Sequence, residues 1–263
     1  MTEIADKVVW ITGASGGIGE GLALKASELG ARLILSARNR PQLERVRAKC
    51  AHPERVALLP LDLTEFDPLE AGAAAASCFG PVDVLVNNAG VSQRSLVLDT
   101  DLAVYRRIME LDYFAVVALT KAVLPSMVER WAGHIVTVSS IVGKVATPLR
   151  SGYAAAKHAL HGFHDALRAE VHGHGVRVTV VCPGFVRTAI SLNAVTGHGA
   201  VQGRMDAAQA AGMDPILCGE HIWRAVQRNT SEACIGGREI HFAWLKRLSP
   251  ALVEQLVRRV KVT

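Results

Sequence analysis

The stretch Thr12-Gly13-Ala14-Ser15-Gly16-Gly17-Ile18-Gly19 follows the apolar run Val8-Val9-Trp10-Ile11 without a break and leads into a segment of helical period. A strand, a glycine turn and a helix in this order are typical of the first unit of a dinucleotide-binding fold. Glycines permit the tight turn and let the backbone approach a pyrophosphate, which then faces the free N–H groups at the positive end of the helix dipole. We therefore predict nucleotide contacts from Gly13, Ser15, Gly16, Gly17, Ile18 and Gly19.

Outward from this turn, short β-branched runs alternate with longer helical stretches, which predicts a doubly wound, Rossmann-type α/β fold with a parallel sheet and helices on both faces. The predicted strands lie near residues 7–12, 32–36, 56–60, 82–87, 134–139, 176–182 and 237–242. The predicted helices lie near residues 17–29, 41–50, 65–78, 101–130, 152–173 and 215–228.

We expect residues 1–263 to form one domain, because the composition shifts nowhere along the chain. Residues 191–214 lack a clear period and are predicted to form a long substrate loop, since loops of that length often act as lids. Residues 244–263 form a C-terminal extension.

The composition, with 50% hydrophobic and 20% charged residues, excludes a disordered or fibrous chain. The net charge of +5 is spread among acids, so we do not expect nucleic-acid binding. No unbroken apolar run approaches the roughly 18 to 20 residues of a membrane span, and the acidic N-terminus lacks a secretory pattern, so we expect a cytoplasmic protein. The basic tail with Arg258, Arg259 and Lys261 is read as a helix that docks on the body, with peripheral membrane contact as the alternative.

The cysteines are odd in number and never form a C-x-x-C pair, which argues against a disulfide framework and structural zinc. We expect reduced, mostly buried thiols at Cys50, Cys78, Cys182, Cys218 and Cys234. His158, His161 and His164 lie three residues apart after Lys157, but no cysteine or carboxylate completes a metal site in the sequence. No metal is therefore expected, and His158, His161 and His164 are predicted to be exposed or at an interface.

The end of the second predicted strand, Ser36-Ala37-Arg38-Asn39-Arg40, should face the adenine ribose. It offers no carboxylate for a free ribose diol, whereas the guanidinium of Arg38 suits a 2′-phosphate. We predict NADP(H) over NAD, with Arg40 as a possible second contact. The alternative is that Arg38 is only a solvated charge at the start of the second helix.

The third and fourth predicted strands end in Leu61-Asp62-Leu63 and Asn87-Asn88-Ala89-Gly90, where ligands collect in open α/β sheets. Asp62 could accept a hydrogen bond from the adenine amino group, with Leu63 beside it. Backbone and small side chains would meet the cofactor at Asn88, Ala89 and Gly90.

The fifth predicted strand ends in Ser139-Ser140, and Tyr153 precedes Lys157 by four residues on a predicted helix. This separation places both side chains on one helical face. An ammonium beside a phenol favours the phenolate, which makes the tyrosine a better acid–base group.

Together, Thr12-Gly13-x-x-x-Gly17-x-Gly19, Asn87 to Gly90, Ser140, Tyr153-x-x-x-Lys157 and Pro183-Gly184 resemble the short-chain dehydrogenase/reductase family, and in particular its 7B-like branch, over essentially the whole chain. The resemblance implies a seven-stranded sheet in the order 3-2-1-4-5-6-7 and hydride transfer between nicotinamide and a carbonyl or alcohol carbon. It further implies the following roles: Tyr153 as general acid or base, Lys157 on the nicotinamide ribose, Ser140 on the substrate oxygen, and Pro183, Gly184, Val186 and Thr188 around the carboxamide and pyrophosphate.

Asp112 departs from the family pattern, which usually has an asparagine there that holds a water in the proton relay. A carboxylate at this place would lie near Lys157 and partly offset its effect on Tyr153. We include Asp112 among the candidate catalytic residues and expect a changed pH profile.

The resulting prediction is an NADP(H)-dependent oxidoreductase for an apolar carbonyl or alcohol such as a steroid, retinoid or lipid ketone. A 3-oxoacyl reductase of the fatty-acid type is one alternative, weakened by the chain's continuation beyond Gly236-Gly237, and a non-catalytic NADP(H)-binding redox sensor is another. The resemblance also implies a homodimer or homotetramer through the helices at 101–130 and 152–173. An anionic substrate group could meet Arg106, Arg107, Arg130 or Arg168, although solvated helix faces explain these residues more simply.

Overall fold

The structure, a computed structural model, describes residues 2–258. Seven parallel strands form one sheet in the order β3-β2-β1-β4-β5-β6-β7, which confirms the predicted fold class and order. The strands are β1 (Val8–Thr12), β2 (Arg32–Ser36), β3 (Val56–Leu58), β4 (Val84–Asn87), β5 (Gly133–Val138), β6 (Val176–Pro183) and β7 (Glu232–Ile235).

Helices cover both faces of this sheet. They are α1 (Gly17–Glu28), α2 (Arg40–Lys49), α3 (Pro68–Phe79), α4 (Leu102–Met109), α5 (Ala115–Glu129), α6 (Ser151–Glu170), α7 (Ala207–Ala210), α8 (Pro215–Gln227), α9 (His241–Leu248) and α10 (Pro250–Val257). A π-helical segment, Glu110–Phe114, joins α4 to α5, so the predicted helix at 101–130 is one continuous run with a π-helical insertion.

The core lies in two layers, one on each face of the sheet. On one face Leu22 of α1 and Trp223 of α8 pack together, and the indole N–H of Trp223 donates to the carbonyl of Leu22 at 2.9 Å. On the other face Leu119 of α5 and Leu167 of α6 cover β4 to β6. Strands buried on both sides read as continuous apolar runs, and all five residues of β1 are buried.

The sheet order reverses between β1 and β4, because β1 lies between β2 and β4 and the chain then continues outward to β5, β6 and β7. At such a reversal the connections leave to opposite faces and open a crevice at the carboxyl ends of the strands. The glycine turn after β1 and the segment Asn88–Gly90 after β4 lie at this point.

The predicted seventh strand at 237–242 is wrong. The strand is Glu232–Ile235, whereas residues Arg238–Ile240 form a 3-10 helix and α9 begins at His241. The carboxylate of Glu239 accepts hydrogen bonds from the backbone N–H groups of Gly237 and Phe185, which holds this segment in a turn beside the end of β6.

The prediction that the α6 histidines are exposed or at an interface is wrong for two of them. His161 and His164 are buried on the face of α6 that also carries Tyr153 and Lys157. His164 contacts the carbonyl of Leu160 through Nδ1 at 2.7 Å and the hydroxyl of Thr137 through Nε2 at 2.7 Å, so it is bonded as a neutral imidazole between the helix and β5. Within residues 2–258 no group of three or more metal-ligating side chains is arranged for a metal ion.

The helical run Leu102–Glu129 is long and apolar enough to cross a membrane by length and composition alone. The sequence expectation concerned unbroken apolar runs, and Arg106, Arg107 and Asp112 interrupt this helix, so the expectation of no transmembrane segment is not overturned. Core helices of globular proteins pass the same test, and in this chain the run packs against α3 and α6. Of the basic tail, Arg259 and Lys261 lie outside the described residues.

Candidate active site

A cavity of about 760 Å³ opens at the carboxyl ends of the strands, within the range typical of small-molecule sites. It brings together residues from the glycine turn, four strand ends, α6 and the segment after β6. The predicted site residues that line it are Gly13, Ser15, Gly16, Gly17, Ile18, Arg38, Asp62, Leu63, Asn88, Ala89, Gly90, Ser140, Tyr153, Lys157, Pro183, Gly184, Val186 and Thr188. Two predicted residues, Gly19 and Asp112, lie behind the cavity wall.

The glycine turn depends on missing side chains. Gly13 has φ +64°, and a Cβ there would come within 2.8 Å of the Cα of Ala89, so a larger residue would clash with the backbone. Gly19 is packed against the carbonyl of Gly13, so it supports the turn rather than lining the cavity. Gly16 precedes α1 and offers no side-chain cap, which leaves the first N–H groups of the helix available to an anion in the cavity.

Asn88 ties the turn to β4. Its side-chain amide donates to the carbonyls of Thr12 at 2.9 Å and Gly13 at 3.2 Å, and its backbone N–H donates to the hydroxyl of Thr12 at 3.0 Å. The side-chain amide of the neighbouring Asn87 donates to the hydroxyl of Thr120 of α5 at 3.3 Å.

Arg38 lies exposed at the rim of the cavity, one residue before the Asn39 side chain that caps α2. Across the rim, Asp62 accepts hydrogen bonds from the backbone N–H of Thr64 at 3.0 Å and its hydroxyl at 2.8 Å. These bonds, together with the charge of Arg38, lower the pKa of Asp62 and keep it a carboxylate. Arg40 does not line the cavity and pairs with Glu44 at 3.7 Å.

Tyr153 and Lys157 occupy successive turns of α6 and are both buried, at 8% and 3% exposure. The Nζ of Lys157 lies 5.6 Å from the centre of the Tyr153 ring and donates to the carbonyl of Val138 at 3.2 Å. The hydroxyl of Ser140, at the cavity wall, accepts from the N–H of Val142 at 3.2 Å, which orients it at the start of a short 3-10 turn.

Asp112 lies in the π-helical segment and is completely buried. Its Oδ1 accepts from the backbone N–H of Val91 at 2.8 Å, and its Oδ2 lies 3.3 Å from the Nζ of Lys157. Gly90 covers this carboxylate, and a Cβ at Gly90 would stand 2.9 Å from Oδ2. Asp112 therefore supports the lysine from behind rather than facing the cavity.

Burial and charge act against each other in this pair. Burial raises the pKa of Asp112, while the ammonium of Lys157 opposes that rise. Burial alone would lower the pKa of Lys157, but attraction to Asp112 and Tyr153 outweighs it and the pKa is raised. Lys157 therefore stays protonated. Its positive charge acts partly on Asp112, so its effect on Tyr153 is smaller than it would be without that carboxylate.

A buried ion cluster beside Tyr153 was missed by the sequence analysis. Asp206, from the predicted substrate loop, accepts from Nε of Arg94 at 2.9 Å and lies 3.3 Å from Nη2 of Arg150. All three are buried, and burial together with the charge of Arg94 lowers the pKa of Arg150 to about 10. No local period marks these residues, which lie far apart in the sequence; only the position of Arg150, three residues before Tyr153, was a signal.

The predicted loop at 191–214 is tied down by this cluster and by α7. Of its apolar residues Val201 lines the cavity, whereas Val195 packs in the core with Val104 and Ile108. The chain beyond β7 also contributes, since Phe242 of α9 and Val257 of α10 line the cavity.

The sequence model of the short chain dehydrogenases matches residues 7–198. A curated relative, dehydrogenase/reductase SDR family member 7B of Danio rerio, is 44% identical over 261 residues, which cover 95% of this chain and 84% of the relative. A short chain dehydrogenase of Burkholderia cenocepacia J2315, solved in complex with NADP, is 25% identical with a TM-score of 0.79, covering 97% of this chain and 99% of its own. One of Burkholderia phymatum, solved with NAD, has the same fold at 22% identity and a TM-score of 0.83, covering 100% and 99%.

A Rossmann-type fold with a glycine turn and a nearby tyrosine and lysine defines a nucleotide-binding oxidoreductase. The chain belongs to the short-chain dehydrogenase/reductase family. A nicotinamide dinucleotide fits the residues present, because the glycine turn, the uncapped helix α1 and the rim at Arg38 and Asp62 lie along one cavity.

Proposed function

We propose that this protein is an NADP(H)-dependent oxidoreductase that interconverts a carbonyl and an alcohol, with Tyr153 as general acid and base. The observation that carries the proposal is the single cavity shared by Tyr153, Lys157 and Ser140 with the glycine turn. A tyrosine paired with a buried lysine, next to a dinucleotide cradle, has the chemistry needed to move a proton during a carbonyl reduction.

When bound, the nicotinamide supplies the hydride. Tyr153 gives its phenolic proton to the carbonyl oxygen during reduction and takes a proton from the alcohol during oxidation. Ser140 holds that oxygen through its hydroxyl, which the N–H of Val142 orients. Lys157 stabilises the phenolate by its charge, and Asp112 holds Lys157 in position from behind.

The preference for NADP(H) rests on Arg38. Its guanidinium at the rim suits a 2′-phosphate, and Asp62, the carboxylate near it, is already bonded to Thr64. The preference for an apolar substrate rests on the apolar residues among those that line the cavity, which include Val145, Ala189, Ile190, Val201, Phe242 and Val257.

The test is oxidation of NADPH and NADH, followed by absorbance, against steroid, retinal, quinone and medium-chain keto compounds. Turnover with NADPH should fall by about 10²- to 10⁴-fold in Tyr153→Phe, while NADPH binding is unchanged, because only the proton donor is removed. NADPH binding without turnover on any compound would favour the redox sensor. Equal turnover in wild type and Tyr153→Phe would refute the role of Tyr153.

Three further proposals accompany the function. The substrate is a free small molecule, the protein acts in the cytoplasm, and it assembles as a homodimer or homotetramer through α4, α5 and α6. The family resemblance supports the assembly, which size-exclusion chromatography with light scattering would test.

A further inference from the structure

Two cysteines that are 52 residues apart in the sequence are direct neighbours in the sheet. Cys182 of β6 pairs in register with Cys234 of β7. Adjacent strands lie about 4.7–4.9 Å apart, within the Cα separation of about 4.4–6.8 Å that a disulfide spans. Paired residues on parallel strands also point to the same face of the sheet, so both thiols lie on the face covered by α6. Both thiols are free in the structure.

The two thiols differ in access. Cys182 is fully buried, whereas Cys234 is half-buried and lines a second cavity of about 350 Å³, separate from the active-site cavity. This cavity also carries Lys144, Lys246 and Arg247, against one carboxylate, Glu232. An excess of positive charge stabilises a thiolate, and a solvent-open cleft admits a small reagent.

A chain of polar groups from α6, β7 and the turn after β5 supports the pair. The Nε2 of His161 lies 3.7 Å from the Sγ of Cys182, and its Nδ1 lies 3.4 Å from Glu232, which pairs with Lys144 at 2.5 Å. The interaction with the thiol of Cys182 lowers the pKa of Cys234, while the same interaction and burial raise the pKa of Cys182. Neither the proposed reaction nor the cofactor cradle uses any of these groups.

We propose that Cys234 and Cys182 are a peroxide-reactive thiol pair, in which Cys234 is oxidised first and Cys182 then closes a disulfide between β7 and β6. The Cys234 thiolate attacks one oxygen of a hydroperoxide and the O–O bond breaks. The sulfur loses two electrons and becomes a sulfenic acid, and the peroxide is reduced to hydroxide or an alcohol. The sulfur of Cys182 then attacks that of Cys234, so that the S–S bond forms and the S–O bond breaks. The thiol proton of Cys182 leaves with the hydroxide as water, and His161 is placed to carry it.

The test is treatment of the full chain with one to a few equivalents of hydrogen peroxide, followed by unfolding, alkylation with N-ethylmaleimide and mass spectrometry. Wild type should go from five alkylated cysteines to three, with a mass two hydrogens below that of the chain carrying three adducts and a cross-linked peptide containing Cys182 and Cys234. This readout does not involve NADPH, so it can fail or succeed independently of the proposed function.

The matched variants are Cys234→Ser and Cys78→Ser, since Cys78 is also half-buried but burial raises its pKa. Cys234→Ser should keep all four remaining thiols free, whereas Cys78→Ser should still lose two. In Cys182→Ser, which keeps a hydroxyl donor beside Cys234 but has no thiol to close a disulfide, the oxidation should stop at a Cys234 sulfenic acid that dimedone traps. At pH 7, iodoacetamide should alkylate Cys234 of the wild type roughly 10-fold faster than Cys78.

Several results would overturn the proposal. They are five free thiols after peroxide, a cross-link between other cysteines, a wild-type Cys234 that proceeds to sulfinic acid without a disulfide, or a disulfide that persists in Cys234→Ser.

Discussion

The two ends of the active-site cavity are built in different ways. The nucleotide end is mostly backbone: a glycine turn, the free N–H groups of α1 and a rim where Arg38 is exposed. The chemical end is mostly buried charge, with Asp112 and Lys157 forming one pair and Asp206 holding two arginines beside Tyr153. Buried charges are costly unless paired, so their partners are fixed by the fold.

This difference predicts different responses to mutation. At the chemical end, removing one charge leaves its partner uncompensated in a low-dielectric interior and destabilises the whole chain. At the nucleotide end, changing an exposed side chain should alter ligand choice while folding is unaffected.

The largest effect is expected from Asp206→Ala. It leaves the guanidinium groups of Arg94 and Arg150 without their carboxylate, so the free energy of unfolding should fall by about 3–5 kcal/mol. Urea denaturation of the wild type and the variant measures this difference in the free energy of unfolding. Asp165→Ala removes an exposed partner of Arg168 and should cost less than about 1 kcal/mol. Equal losses in the two variants would show that the Asp206 cluster is no more important than a surface pair.

Arg38→Asp tests the nucleotide end. Losing a charged contact to the 2′-phosphate should weaken NADPH binding by about 1.5–3 kcal/mol, roughly 10- to 150-fold, with no loss for NADH. Fluorescence titration of both cofactors gives the dissociation constants. The control is Arg40→Asp, which makes the same change of charge outside the cavity and should shift NADPH binding less than about twofold. An unchanged NADPH affinity in Arg38→Asp would mean that Arg38 is only a solvated charge.

The buried His164 should make the chemical end sensitive to acid. Burial lowers its pKa to about 4, from 6.5 for an exposed histidine. Between pH 6.5 and pH 4, this histidine is therefore protonated in the unfolded chain and neutral in the folded chain. Stability from this group is complete above pH 6.5 and is lost as the pH falls toward 4, about 2 kcal/mol by pH 5. Unfolding free energies at pH 7 and pH 5 measure the loss.

His164→Gln should shrink that loss between pH 7 and pH 5, whereas His172→Gln, at an exposed position, should leave it as in the wild type. The same pH response in all three proteins would place the acid-sensitive group elsewhere.

Asp112→Asn gives the smallest effect, because the ammonium of Lys157 keeps the carbonyl of Val138 and the ring of Tyr153 as partners. The substitution keeps the acceptor for the N–H of Val91 but removes the negative charge from beside Lys157, so more of the lysine's field should act on Tyr153. The midpoint of the pH–rate profile for alcohol oxidation should move to lower pH. An unmoved midpoint would reduce Asp112 to a structural substitute for asparagine.

The fold was predictable because its determinants are local. The alternation of short apolar runs with helical stretches marks parallel strands buried on both faces, and six of the seven strands were predicted close to their positions. The seventh was misplaced because Ile240 and Phe242 favour strands in isolation, whereas Glu239 holds that segment in a turn. The burial of His161 and His164 was a readable signal that was missed, since they continue the stripe of Tyr153 and Lys157 along α6.

By itself, the sequence determined the doubly wound sheet, the glycine turn and the set of candidate residues. Each of these depends on residues that are close together in the sequence, whatever the position of the segment in the folded chain. Only the tertiary structure decided which residues that are far apart in the sequence come into contact: Asp112 behind Gly90, Asp206 between Arg94 and Arg150, and Cys182 beside Cys234. These contacts join segments through burial and strand register, which depend on how the whole chain packs and leave no fixed spacing in the sequence.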